Sequence, residues 1–188
     1  MSPVTSPRRL RRAGASLLLV AGLLLATACT PVLMVGDSVM VGAGPVASQK
    51  FEEAGAWSPR FDGEVGRRTD EGLDVIRELV PGYEFVVVEL GYNDAWHSAY
   101  RTRIRAILDE LSGRQRVVLV TMAEVQSYYV TGNQILREEA AGRDNVRIAD
   151  WASIVATTPG LTASDGIHLT TAGNNRMAQL IFDTVTGP

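Results

Sequence analysis

Apolar residues along this chain fall into short unbroken runs and into periodic stretches, and the two kinds alternate. The runs VLMVG (32–36), EFVVVEL (84–90) and RVVLVTM (116–122) are rich in Val and Leu at successive positions. They predict strands buried on both faces. Two weaker segments, PRFDG (59–63) and NVRIAD (145–150), bring the expected number of strands to five. Between the runs the apolar spacing changes to three and four. Residues 69–80 (TDEGLDVIRELV), 95–111, 132–142 (GNQILREEAAG) and 170–185 (TTAGNNRMAQLIFDTV) therefore predict helices. Within 95–111, Ile104, Ile107, Leu108 and Leu111 share one face, with Arg and Asp on the other. Strands that alternate with helices build βαβ units: a parallel sheet covered on both faces, with any chemistry in the loops at the carboxyl ends of the strands. The sequence shows no internal repeat of the length a solenoid or propeller needs.

The N-terminus breaks this pattern. Arg8, Arg9, Arg11 and Arg12 precede an uncharged apolar run over 13–28, shorter than the roughly 20 residues of a comfortable membrane span. That is the shape of a signal peptide, so residues 1–28 are expected to be a leader and 29–188 a single domain. Ala26, Thr27 and Ala28 before Cys29 resemble a bacterial lipobox, with Ala where Leu is commonest. Cys29 is the only cysteine, which rules out an intramolecular disulfide, and lipidation would give the lone thiol a role. The first expectation is a lipoprotein held at the outer face of the membrane. Release after the Ala-x-Ala pattern, retention as an uncleaved anchor, and a twin-arginine route through RRLRRAG are the alternatives. Only Thr30 and Pro31 separate Cys29 from the first predicted strand, so a lipid would hold the domain hard against the membrane. In each case the protein is expected in the cell envelope or secreted.

Composition narrows the function classes. With 188 residues, 46% apolar and 21% charged, the chain can bury one ordinary core. Removing residues 1–28 takes away four arginines and no acid, which leaves 14 basic against 21 acidic residues. Such an acidic domain is a poor fit to a phosphate backbone, and no nucleic-acid partner is expected. No cluster of His, Cys and Asp has metal-ligand spacing, so neither a metal nor another cofactor is expected. The domain is expected to be a monomer.

Four stretches carry candidate chemistry: GDSV (36–39), DGEVGRRTDEG (62–72), LGYND (90–94) and DGIHLT (165–170). Each has a plain reading. Gly-Asp-Ser is common turn chemistry, Asn93 and Asp94 can cap a following helix, Gly66 can supply a positive φ, and His168 can be a surface residue. Each also has a chemical one. Ser38 follows a buried run, Asp165 and His168 are spaced so that a carboxylate can orient an imidazole, and Asn93 and Gly66 can donate to a developing oxyanion. A serine, a histidine, an aspartate and three N–H donors at one sheet edge are the parts needed for acyl transfer through an acyl-enzyme.

In this order, GDSV, the Gly66 block, GYND and DGIH resemble the four blocks of the SGNH/GDSL hydrolase superfamily. The resemblance implies a three-layer α/β/α sandwich with a five-stranded parallel sheet, of flavodoxin-like kind. It implies Ser38 as nucleophile, His168 as base with Asp165 behind it, and an oxyanion hole of the Ser38 N–H, Gly66 and Asn93. VGDSVM, FDGEVGRR and VELGYND are similar to the extracytoplasmic SGNH domains of peptidoglycan and polysaccharide O-acetyltransferases, and to acetyl esterases. Those transferase domains usually follow a multi-spanning acyl-donor module, whereas this sequence has one short apolar segment. Hydrolysis of acetyl or short-chain O-acyl esters, of a cell-envelope glycan or a related small ester, is therefore expected. O-acetyl transfer is the alternative, and an idle envelope-binding module, which would show a damaged triad, is a third. Tyr92 and Trp96 are candidate stacking partners for a sugar or acyl group, and Arg67 and Arg68 for an anionic glycan; packing and solvated charge are their plain readings. His97, with no carboxylate pattern after it, is set aside as the base.

Overall fold

The computed structural model describes residues 29–188, and the predicted leader over 1–28 lies outside them. Five strands, β1 (Thr30–Gly36), β2 (Trp57–Gly63), β3 (Phe85–Glu89), β4 (Arg116–Val120) and β5 (Val146–Ala149), pair in parallel in the order β2-β1-β3-β4-β5. Gly36, the last residue of β1, lies level with Gly63 on one side and Glu89 on the other. Parallel neighbours need helical crossovers, supplied by α1 (Ser38–Glu53), α2 (Thr69–Leu79), α3 (Tyr100–Glu110) and α4 (Ser127–Ala140). The chain steps from β1 to one side, then returns across β1 to β3 and continues outward. Right-handed crossovers consequently put α1 on one face and α2, α3 and α4 on the other. After β5 come α5 (Trp151–Thr157) and α6 (Thr171–Thr186), and α6 packs beside α1. The result is the expected three-layer sandwich. Val32–Val35, Val86–Val88 and Val117–Val120 are buried through its middle, as strands covered on both faces require. Among the described residues no helix is long and apolar enough to cross a membrane.

The expected elements are present, with shifted ends and two additions. Helix α1 was not legible as a helix, because Gly42, Gly44 and Pro45 all disfavour one. Packing overrides that propensity. A Cβ on Gly44 would come within 2.6 Å of the Phe61 ring, so the glycine lets α1 lie close on β2. Helix α3 begins at Tyr100 rather than 95, because residues 91–97 close into turns on the Gly91 and Asp94 carbonyls. Helix α4 begins at Ser127 rather than 132, and the short α5 is capped by Asp150, which accepts from the Ser153 N–H.

Gly36 is a tight point of the sandwich. A Cβ there would lie 2.8 Å from the Glu89 carbonyl oxygen and also against Met40. Gly36→Ala is expected to lower unfolding stability by about 1–3 kcal/mol, the range for overpacking a filled site, as read from the urea midpoint at unchanged m-value.

Candidate active site

In a sheet of order 2-1-3-4-5 the strand order reverses between β1 and β3, and a crevice opens there at the carboxyl edge. Ser38 stands at that edge as the first residue of α1. A helix start leaves its first N–H groups without intrahelical partners, and here three of the four are accounted for. Asp37, the N-cap, donates to the Glu89 carbonyl at 3.1 Å, Val39 to the Asp37 carboxylate at 3.0 Å and Met40 to Glu89 Oε2 at 3.1 Å, while Val41 makes the first intrahelical bond, to the Asp37 carbonyl. The Ser38 N–H has no protein acceptor among the described residues.

Asp37 and Glu89 form a buried carboxyl pair beneath this turn. The Asp37 N–H donates to the Glu89 carbonyl at 3.1 Å and to its Oε2 at 3.3 Å. Burial pushes the Asp37 carboxyl up to about 6, opposed mainly by the Val39 N–H. Burial raises Glu89 well above its ordinary value, and the Asp37 charge raises it further. Adjacent buried carboxyls disfavour double ionisation, which is the physical cause of that further rise.

His168 reaches Ser38 from the far end of the chain. Its loop, between α5 and α6, is closed by a bridge pairing Thr162 with Leu169, and its end is fixed where Thr170 caps α6. Within it, Asp165 Oδ1 accepts from the Ile167 and His168 N–H groups at 2.8 and 3.0 Å. Asp165 Oδ2 lies 2.7 Å from His168 Nδ1, and His168 Nε2 lies 3.1 Å from Ser38 Oγ. The hydrogen bond to His168, helped by the two backbone donors, holds Asp165 down at about 2. The relay is open to solvent: the Asp165 and His168 side chains are 47% and 55% exposed.

Gly66 and Asn93 border the same crevice. Gly66 has φ +83° with open space where a Cβ would be, and its N–H has no protein acceptor among the described residues. Asn93 Nδ2 donates to the Arg67 carbonyl at 3.1 Å and to Asp37 Oδ2 at 3.3 Å. Its amide therefore faces the crevice with both hydrogens engaged.

Two residues expected to touch substrate are structural instead. Arg67 is 5% exposed. Its terminal nitrogens donate to the Gly36 and Asp62 carbonyls, to Asp62 Oδ1 at 2.6 Å and to Glu64 Oε2 at 3.1 Å, tying the ends of β1 and β2 together. Tyr92 is buried; its hydroxyl oxygen accepts from the Ala123 N–H and its carbonyl from the Tyr129 hydroxyl. Burial keeps both away from a ligand at the surface. Arg68 pairs with Asp70 at the start of α2, and exposed His97 accepts from the Ala99 N–H at 3.0 Å. Asp94 does not cap the helix that follows it: it accepts from the Thr69 N–H and hydroxyl at the start of α2 and pairs with Arg103 at 2.6 Å. Trp96 stays exposed. Glu89 was missed by sequence reasoning, although an acid ending an apolar run at a strand's carboxyl edge is the signal that could have found it.

No family model matches the chain. It is 33% identical over 157 residues to O-acetyltransferase OatA of Staphylococcus aureus, an alignment that takes in 81% of this chain and 24% of that protein. The chain thus spans about a quarter of the length of the curated relatives it matches. Among solved structures, the C-terminal catalytic domain of Streptococcus pneumoniae peptidoglycan O-acetyltransferase A superposes with a TM-score of 0.69 at 19% identity, covering 83% of this chain and 92% of that one. An acetyl xylan esterase, AlAXEase, superposes with a TM-score of 0.70 at 19% identity, over 82% of this chain and 99% of that one. With this sheet, these four blocks and these relatives, the chain has the fold of the SGNH/GDSL hydrolases and is similar in sequence to their O-acetyltransferase members.

Proposed function

We propose that this acyl-transferring enzyme is an exported serine esterase that removes acetyl or other short acyl groups from hydroxyls of cell-envelope glycans. The observation that carries the reading is the Asp165–His168–Ser38 relay, at 2.7 and 3.1 Å, standing open at the sheet edge. Ser38 Oγ attacks the ester carbonyl carbon as His168 Nε2 takes the hydroxyl proton, and Asp165 stabilises the resulting imidazolium. The carbonyl oxygen becomes an oxyanion facing the unpartnered Ser38 and Gly66 N–H groups and the Asn93 amide. Collapse breaks the bond to the alcohol oxygen, which receives the proton from His168. Water then attacks the acyl-Ser38 carbonyl, giving its proton to His168; release of the carboxylic acid returns that proton to Ser38. An exposed relay admits an ester carried on a bulky polymer, and it also admits water.

Identity to an O-acetyltransferase favours a second reading, in which a sugar hydroxyl replaces water as the acceptor. Both readings use the same acyl-enzyme and diverge only at its breakdown. Exclusion of water is what a transferase needs, and the openness of His168 weighs toward hydrolysis.

Export fits the geometry. Cys29 is exposed immediately before β1, whereas Ser38 follows the other end of that strand. A lipid on Cys29 would press the amino edge of the sheet to the membrane and turn the catalytic edge outward, with the length of β1 between them, roughly 20 Å at ~3.3 Å per residue.

Three outcomes test this reading. Ser38→Ala is expected to lower kcat/KM for acetyl esters by at least about 10³-fold, because only binding and oxyanion effects remain; near-wild-type turnover would end the covalent mechanism. The rate is expected to fall on acidification. Asp165, held at about 2, stays ionised and adds no step, whereas Asp37, pushed up to about 6, becomes neutral and withdraws charge from behind the turn. Log kcat/KM should then bend downward at about pH 6, and a profile that runs flat through that range would exclude a role for the Asp37 charge. Finally, an acetyl ester supplied with excess chitotetraose is expected to give mainly free acetate. Mass spectrometry showing acetylated oligosaccharide as the dominant product would replace the hydrolase reading with the transferase one.

A further inference from the structure

Among the described residues six large apolar side chains stand exposed, and four of them, Val41, Val65, Trp96 and Val125, follow the carboxyl ends of β1, β2, β3 and β4 in turn. An apolar side chain thus stands exposed in each of these four segments, and Trp96, 58% exposed, is the largest of them. This indole is not loose. Its ring meets Tyr128 edge-on with centroids 5.6 Å apart, Tyr128 meets Tyr129 at 4.6 Å, and Tyr129 meets buried Tyr92 at 5.2 Å. A chain of aromatic contacts thus runs from the core to the surface and holds the outermost ring in place.

Two connections fix where this ledge stands. Trp96 follows Asn93 across turns closed by Asp94 and Ala95 N–H groups on the Gly91 carbonyl, and the Asn93 amide bonds Asp37 beside Ser38. On the other side, Tyr128 follows Val125 by three residues. Val125 lies against Gly166 of the His168 loop, where a Cβ on the glycine would come within 2.5 Å of Val125 Cγ1. The ledge therefore follows Asn93 closely along the chain on one side and is joined through Val125 to the His168 loop on the other.

We propose that Trp96, backed by Tyr128, is the platform on which a pyranose ring of the glycan alcohol stacks during acyl transfer. The inference deepens, and rests on, the acyl-transfer reading above. His168 must reach the alcohol oxygen, to protonate it as it leaves or to deprotonate it as it arrives. The alcohol portion of the ester must then lie on the His168 side, while the carbonyl oxygen lies toward the Ser38 N–H. A pyranose presents a face of C–H groups with slightly positive hydrogens, which complements the negative face of an indole. The ledge also explains how an open site without a deep cleft can hold a sugar still, since a rigid aromatic adds contact area at little cost in conformational entropy.

The test uses the Ser38→Ala protein and tryptophan fluorescence. Trp151 is fully buried, and half-buried Trp57 packs between Phe51 and Phe85 at the amino end of β2, so Trp96 is the tryptophan that stands exposed at the carboxyl edge of the sheet. Titration with chitotetraose or xylotetraose is expected to give a saturable fluorescence change that disappears in Ser38→Ala/Trp96→Phe. In the active enzyme, Trp96→Ala is expected to lower kcat/KM for acetylated xylotetraose at least tenfold more than for ethyl acetate, through a higher KM, with Trp96→Phe intermediate. Ethyl acetate is chosen because it brings neither a sugar nor an aromatic leaving group. No saturable change with either oligosaccharide, a change that persists without Trp96, or equal falls on both esters would overturn the platform. Failure of the parent reading looks different: the wild-type enzyme would leave ethyl acetate intact while the oligosaccharides still altered Trp96 fluorescence, and the platform would stand as a glycan-binding surface.

Discussion

The contact between Asp37 and Glu89 governs most of what surrounds Ser38. Burying two carboxyls in the middle of an α/β sandwich is unfavourable unless they are hydrogen-bonded and at least one is neutral. Burial raises both carboxyls toward their neutral forms, and any charge that remains sits at the amino end of α1, where the helix dipole favours it. Three backbone donors converge on the two side chains, from Asp37, Val39 and Met40. The pair therefore serves as the cap for the helix that Ser38 begins, and it occupies the inner donors of the first turn while leaving the Ser38 N–H free. Asn93 donates to the Asp37 carboxylate from across the crevice. The pair thus sets the turn that presents the serine, the free amide beside it, and the orientation of the carboxamide opposite.

Around that centre the loops are braced by buried ionic contacts that do no chemistry. Arg67 stitches the ends of β1 and β2 through Gly36 and Asp62, and Asp94 joins the start of α2 to Arg103 on α3. Such pairs stabilise little when compared with apolar packing, but removing either partner strands a charge. Their effect here is positional, since they fix the spacing of three strand ends. The His168 loop is held differently. It is closed by its own backbone bonds and by Asp165, which accepts from two N–H groups and one imidazole in its own loop. Rigidity on one side of the crevice comes from buried charge, and on the other from an exposed, self-contained turn.

That difference explains what could be read from the sequence. The strands were legible because a residue buried on both faces of a parallel sheet has to be apolar wherever it falls, as Val86, Val87 and Val88 are. The relay residues were legible because Ser38, Asp165 and His168 lie in short local patterns whose spacing already encodes their geometry. Helix α1 was hidden because its glycines answer to a distant neighbour, Phe61, and not to local propensity. Arg67, Tyr92 and Asp94 were misread for a related reason. A polar group next to a candidate site looks available until its partners, dozens of residues away in several cases, are placed in three dimensions. Glu89 escaped notice inside an apolar run, where a single acid resembles an exception until its buried partner is seen.

The same division bears on how one scaffold accommodates both esterases and O-acetyltransferases. The parts that make an acyl-enzyme are fixed by the core: the end of β1, the cap on α1, and the donors after β2 and β3. What accepts the acyl group is decided farther out, by whichever molecule lies beside His168 Nε2 when the alcohol has gone. In this chain exposed Trp96 and Val125 stand on the loops after β3 and β4, outside the buried carboxyl pair. On the proposed mechanism, a surface that held a sugar hydroxyl against the imidazole for longer than water stays there would turn hydrolysis into transfer, with no change to the serine, the histidine or the sheet. The core would then carry the first half-reaction, and the surrounding loops the second.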